Sequence, residues 1–117
     1  DVYKRQVSGR AIRSGSFQLR ICVFSDDPDA GQVAAQLISR HWVITDANNQ
    51  VQEVRGLGVV GNQPLLQPGE QFEYTSGTSM ATPQGTMSGE YFCVAEDGAR
   101  FEAKIPEFVL SLPRTLH

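Results

Sequence analysis

Apolar residues recur at every second position along much of this chain. Phe17, Leu19, Ile21 and Val23 alternate with Gln18, Arg20 and Cys22, the period of a half-buried strand. Gln32 to Thr45 is the next strand region. Its alternation puts Gln36, Ile38, Arg40, Trp42 and Ile44 on one face and Leu37, Ser39, His41 and Val43 on the other. Asp46-Ala47-Asn48-Asn49 is a hairpin turn, since asparagine tolerates positive φ, and Val51 to Arg55 returns as the partner strand. Gln71 to Ser76, Thr86 to Ala95 and Arg100 to Ile105 are further strands. Pro106 breaks the last of these, and Phe108, Leu110 and Leu112 mark a final one.

The intervening segments carry turn chemistry. Ser25 to Gly31 holds three aspartates, a proline and a glycine, and Gln67-Pro68-Gly69-Glu70 is a strong turn. Gly56 to Gly69 reads as a long irregular stretch. Asp1 to Ser16 is polar and basic with little periodicity, a frayed or disordered start. No segment carries apolar residues at helical spacing over three turns. About seven short strands, each with one greasy and one wet face, predict an all-β fold. The architecture expected is an immunoglobulin- or fibronectin type III-like β-sandwich.

Composition narrows the function classes. At 117 residues the chain supports one domain, expected over residues 17–114. Ten basic against thirteen acidic residues give a net charge of −3, which argues against sequence-independent nucleic-acid binding. The longest unbroken apolar run is Tyr91 to Ala95, so no membrane span is expected, nor a signal-peptide core near the N-terminus. Cys22 and Cys93 are the only cysteines and His41 and His117 the only histidines, without zinc spacing, so no metal site is expected. Cys22, Trp42 and Cys93 occur in immunoglobulin order, with Tyr91 two residues before Cys93. The residues flanking them do not follow that pattern. Two buried free thiols in a reducing cytoplasm are the favoured reading.

Three clusters invite chemistry. Gly56-Leu57-Gly58-Val59-Val60-Gly61 matches G-x-G-x-x-G, but Pro64 and Pro68 forbid the helix that a dinucleotide site needs behind it. Without a helix, Gly56, Gly58 and Gly61 beside Arg55 retain the option of weak anion binding through backbone N–H groups. Ser39-Arg40-His41-Trp42 is a dense polar-aromatic cluster; Arg40 and His41 are candidates for a recognition surface, while no nucleophile is tied to His41. Asp26, Asp27 and Asp29 lack a calcium-loop pattern and read as a solvated turn. No catalytic residue and no cofactor are expected.

From Val33 onward the chain resembles the ApaG family, sometimes described as cobalt/magnesium efflux-associated proteins. The resemblance rests on Ala35-Gln36-Leu37-Ile38-Ser39-Arg40-His41-Trp42-Val43-Ile44-Thr45-Asp46-Ala47-Asn48 and on the stretches Val51 to Pro64 and Leu66 to Gly77. It extends through Gly85 to Gly89 and Ile105-Pro106-Glu107-Phe108. It implies a fibronectin type III-like fold, no assigned catalytic activity, a link to cobalt and magnesium tolerance, and binding to a protein partner. It also implies a pyrophosphate or nucleotide-phosphate ligand for the glycine motif as the alternative; a hydrolase of phosphoanhydrides is a third reading. Unpaired sheet edges leave room for a homodimer.

Residues before Gln32 depart from the family, which carries an aromatic-rich alternating strand there. A one-base shift of reading frame, with permissible codons, would turn the stretch from Ser16 into the family-like S-F-A-Y-V-F-S-V-T-I-R. Residues 1–16 are accordingly expected to be disordered or foreign to the domain.

Overall fold

The computed structural model describes residues 3–13, 16–25, 34–59 and 61–111. Eight strands and no helix occur among them: β1 (Tyr3–Arg13), β2 (Ser16–Ser25), β3 (Ala35–Asp46), β4 (Val51–Leu57), β5 (Leu65–Leu66), β6 (Gln71–Gly77), β7 (Gln84–Ala95) and β8 (Arg100–Ser111). They form two antiparallel sheets. One has the order β1-β2-β6. The other has the order β4-β3-β7-β8, with the two-residue β5 pairing with β3 beside Ala35 and Gln36. The all-β sandwich expected from the alternation is therefore present.

The inner faces of the two sheets supply one continuous core. Phe17, Leu19, Ile21 and Tyr74 from the smaller sheet meet Leu37, Trp42, Ile44, Met87, Tyr91, Cys93, Phe101 and Ile105 from the larger. Phe17 makes the central contact, edge-on to Trp42 with ring centroids 5.3 Å apart. Truncating a fully buried phenylalanine of this kind typically costs about 3–5 kcal/mol, through lost burial and the cavity left behind.

The start of the chain is a correction. The expected disordered or frayed segment is in fact an eleven-residue strand, β1, paired with β2 along nearly its whole length. It also packs against β8. The Arg5 guanidinium lies 4.7 Å from the centre of the Phe101 ring, and Gly9 sits so close beneath Phe108 that a Cβ there would fall 2.3 Å from the ring. Only Val7 among the side chains described in β1 is buried, so the alternation that would have announced a strand is faint.

The faces of β3 are also corrected. A bulge between Leu37 and Ser39, opposite Cys93 and Phe92, inserts one residue and flips the pleat. Leu37 thereby joins Trp42 and Ile44 inside, whereas Gln36 is exposed. The strand break expected at Pro106 is a second bulge within one strand: β8 continues from Ile105 opposite Gly89 to Phe108 opposite Met87. Proline fits there because β8 is a sheet edge and the bulge needs no ladder donor at that residue. The expected turn at Asp26 to Gly31 and the strand residue Leu112 lie outside the described residues.

Candidate functional site

The β3–β4 hairpin sets the geometry. Asp46 Oδ1 accepts hydrogen bonds from the backbone N–H groups of Asn48 (2.8 Å) and Gln50 (2.9 Å), and Asn49 adopts φ 63°. This tight turn fixes the register of everything above it. His41 stands opposite Arg55, and Ser39 opposite Leu57. On its other side, β3 meets β7 with His41 opposite Glu90 and Ser39 opposite Phe92, and Glu102 of β8 follows Phe92. All of these side chains stand on the outward face of the larger sheet, where they line an open hollow of ≈ 480 Å³ together with Arg40 and Gly56.

The hollow carries charges of both signs. His41 Nε2 lies 2.8 Å from Glu53 Oε1 and His41 Nδ1 lies 3.3 Å from Glu90 Oε2. Arg55 Nη2 stands 3.5 Å from the same Glu53 oxygen. Both ring nitrogens of His41 therefore face carboxylates rather than a hydroxyl or thiol, an arrangement that anchors the ring instead of poising it to activate a nucleophile. The pairs to Glu53 are open to solvent and each is worth at most about 1 kcal/mol, while the His41–Glu90 pair is part-buried. The exposed Leu57 and the half-buried Phe92 supply the apolar part of the lining.

The glycine motif is built into scaffold. The Gly58 N–H donates to Ile38 O at 2.8 Å, and Val59 and Asn62 exchange two backbone hydrogen bonds of 2.7 and 2.8 Å. Gly61 supplies φ 81° as the third residue of that four-residue turn. Gly58 has φ 63°, and a Cβ on it would meet Asn62 O at 1.9 Å. Gly56 pairs with Arg40 on the inward face of the hairpin, where a Cβ would fall 2.9 Å from the guanidinium. Through this gap Arg40 donates to the carbonyl oxygens of Leu57 (3.2 Å) and Gly58 (2.8 Å) while lying 5.1 Å from the centre of the Trp42 ring. Its Nε is buried with no hydrogen-bond partner among the described residues. The backbone donors of Gly58, Val59 and Asn62, which an anion would have to recruit, are thus already engaged.

Of the sequence candidates, the structure brings Arg40, His41, Arg55 and Gly56 to one hollow. Gly58 lies buried beside it, and Gly61 sits on the exposed turn outside its lining. Sequence reasoning missed Glu53, Glu90, Phe92 and Glu102. The position of Glu53 follows once the turn at Asp46 fixes the hairpin register. The other three are placed by β7 and β8, whose pairing leaves no local trace.

Beneath the hollow, Tyr74 and Tyr91 join their hydroxyl groups in a short hydrogen bond between the sheets. Burial pushes Tyr74 up to about 12, opposed by its bond to Tyr91, by Arg40 and by the Trp42 indole. Burial, reinforced by Tyr74, drives Tyr91 higher still. The Trp42 indole nitrogen is buried with no hydrogen-bond partner of good geometry among the described residues. Both cysteines are free and buried. Cys93 points into the core, whereas Cys22 lies between the inward-facing Ile21 and Val23 and faces the other way, so no inter-sheet disulfide forms. Among the described residues no cluster of three histidine, cysteine or acidic side chains could hold a metal, and no helix is long and apolar enough to cross a membrane. Asp26, Asp27 and Asp29 lie outside the described residues.

Comparison with known proteins agrees with this architecture. The family model of the ApaG domain matches residues 14–95. The chain is 71% identical over 89 residues to Protein ApaG of Ralstonia nicotianae, covering 76% of this chain and 72% of that one. It is 72% identical over 87 residues to Protein ApaG of Dechloromonas aromatica, covering 74% and 68%. A crystal structure of an ApaA protein from Bordetella pertussis superposes with a TM-score of 0.77 at 48% identity, covering 97% of this chain and 95% of that one.

Proposed function

The chain belongs to the ApaG domain family, and from that premise we propose that it is a non-enzymatic module that binds a protein partner through the outward face of its larger sheet. One observation carries this reading. An apolar surface of Leu57 and Phe92 is framed by Arg55, Glu90 and Glu102 on the outward face of the sheet, while the neighbouring glycine motif is tied up in its own turn. An apolar anchor inside a charged rim is what a protein segment with a hydrophobic side chain and mixed charges would recognise. His41, clamped between Glu53 and Glu90, holds the rim in place, and Arg40 supports the ledge from below. The finer reading is a cytoplasmic role in bacterial cobalt and magnesium homeostasis, exercised through that partner and without a metal of its own. Its support is the resemblance of the chain to the family.

The test starts by capturing the partner from a bacterial lysate on the immobilised full chain, then measuring its affinity for variants. Phe92→Ser and Glu102→Lys should each weaken binding by about tenfold or more, as loss of a buried anchor or its charged rim does. In parallel, calorimetry with pyrophosphate and ATP, with and without Mg²⁺ or Co²⁺, should give no saturable heat. Saturable binding abolished by Arg55→Ala would replace the proposal with the phosphate-ligand reading, and release of inorganic phosphate would replace it with a hydrolase.

A further inference from the structure

β4 is an edge strand with no strand on its open side among the described residues. It has no proline, lysine or bulge to blunt that edge. The direction of its backbone groups follows from the hydrogen bonds at its two ends. Asp46 N–H donates to Gln50 O at 3.0 Å and Gly58 N–H to Ile38 O at 2.8 Å. In an antiparallel ladder bonded pairs alternate, so the even-numbered residues from 50 to 58 turn their N–H and C=O groups toward β3. Val51, Glu53, Arg55 and Leu57 turn theirs to the open edge. The side chains of the same four stand on the outward face, opposite Thr45, Val43, His41 and Ser39.

These four residues read apolar, acidic, basic, apolar, a chemical palindrome centred on Val54. The two apolar members are among the most exposed large hydrophobic residues, Val51 at 61% and Leu57 at 74%. We propose that this edge pairs antiparallel with β4 of a second copy of this chain about a two-fold axis through Val54, joining the two larger sheets into one. In that register Glu53 faces Arg55 of the other copy twice over, and Val51 faces Leu57 twice over. Each of these pairs brings together two residues whose free backbone groups point at one another, so the ladder is completed without an orphan.

Neighbouring registers fail on charge. Moving the axis to residue 53 sets Glu53 against itself, and moving it to 55 sets Arg55 against itself; intermediate registers oppose a free backbone group to an engaged one. Like charges directly opposite are destabilising, whereas opposite charges and apolar pairs stabilise. Of the remaining edges, β1 and β8 pack against each other, and β6 carries Glu73 as its only charge, so no self-pairing of it gains an opposite-charge pair. Leu57 and Arg55 belong both to this edge and to the proposed partner site, whereas Phe92 and Glu102 stand on β7 and β8, away from the edge, so Phe92→Ser and Glu102→Lys test the partner site without altering the pairing residues.

Sedimentation equilibrium of the full chain tests the dimer. A concentration-dependent monomer–dimer equilibrium is expected, weak because a single strand edge buries little area. Arg55→Glu and Glu53→Arg should each raise the dissociation constant by about tenfold or more, since each turns two attractive pairs into two repulsive ones. Mixing the two single variants should restore association as a heterodimer with four opposite charges facing. The double reversal Glu53→Arg/Arg55→Glu should return to within about threefold of the parent. Circular dichroism melts keep loss of pairing distinct from loss of fold, and the mixture reports on pairing even if one variant is less stable alone. A parent that stays monomeric up to millimolar concentration, a dimer indifferent to single reversal, or a mixture that fails to associate would each overturn the proposal.

Discussion

The Arg40 guanidinium donates to the carbonyl oxygen of Gly58 at 2.8 Å while its flat face rests over Trp42. One side chain thus connects the core to the ledge that borders the hollow. The contact needs the planar, multi-donor head of arginine and the gap left by Gly56. Arg40→Ala should cost about 2 kcal/mol of unfolding free energy in urea, through lost charge-assisted hydrogen bonds and lost packing. Arg40→Lys should recover less than half of it, because a lysine ammonium that took the place of Nη1 at the two carbonyls would leave no planar guanidinium over Trp42. Equal stability of the lysine variant and the parent would show that the guanidinium geometry is irrelevant.

The glycine motif makes a graded prediction. Gly58 and Gly61 both have positive φ, but a Cβ on Gly58 would strike Asn62 O, whereas on Gly61 it would enter open space. Gly61→Ala should cost about 1 kcal/mol, the backbone penalty alone. Gly58→Ala adds a backbone clash and should cost well over about 2 kcal/mol or fail to fold. A ligand-cradling motif would instead show both variants stable and both impaired in binding. Thermal melts of the two variants rank them directly.

Much of the sandwich was legible in period-two alternation. Phe17, Leu19, Ile21 and Val23 declare β2 whether or not the residues match the family pattern there, because burial of one face is all a strand requires. β1 was not legible, since Arg5, Gly9 and Ala11 are weak inward-facing residues and the strand is held by its neighbours β2 and β8. The bulge after Leu37 was hidden for a different reason. It depends on how β3 meets β7, a long-range register that no local sequence states. The hollow divides in the same way. His41, Arg55 and Gly56 share one hairpin and could be placed from its turn, while Glu90, Phe92 and Glu102 arrive from strands far along the chain.

The thiols offer a check on the sheet faces. Cys22 and Cys93 are free and point to opposite sides of the smaller-sheet interface, so dithiothreitol should leave the melting temperature unchanged. A thiol-reactive dye should count two thiols after unfolding in guanidinium, with Cys93 unreactive in the folded protein because it is fully buried. Loss of stability under reductant would mean that the two cysteines are bridged and the faces of β2 are reversed.

Alkaline stability follows from the same buried groups. Burial raises the Cys93 thiol from 9.0 to about 12, opposed only by Arg5, and raises Tyr74 from 10.0 to about 12. Tyr91 and Cys22 move in the same direction. For each, the folded state holds its proton beyond the pH at which the unfolded chain releases it. Their contribution is therefore complete below pH 9 and declines as pH rises toward 12. Each group should remove about 1.4 kcal/mol per pH unit once its unfolded form has ionised. The unfolding free energy in urea should fall gently from pH 9 to 10, where only thiols contribute, and more steeply above pH 10 as the phenols join. Cys93→Ala should flatten most of the first segment, and Tyr74→Phe should reduce the slope of the second while leaving the first untouched. A flat profile between pH 9 and 11, or a Tyr74→Phe variant with an unaltered slope, would contradict the burial of these groups.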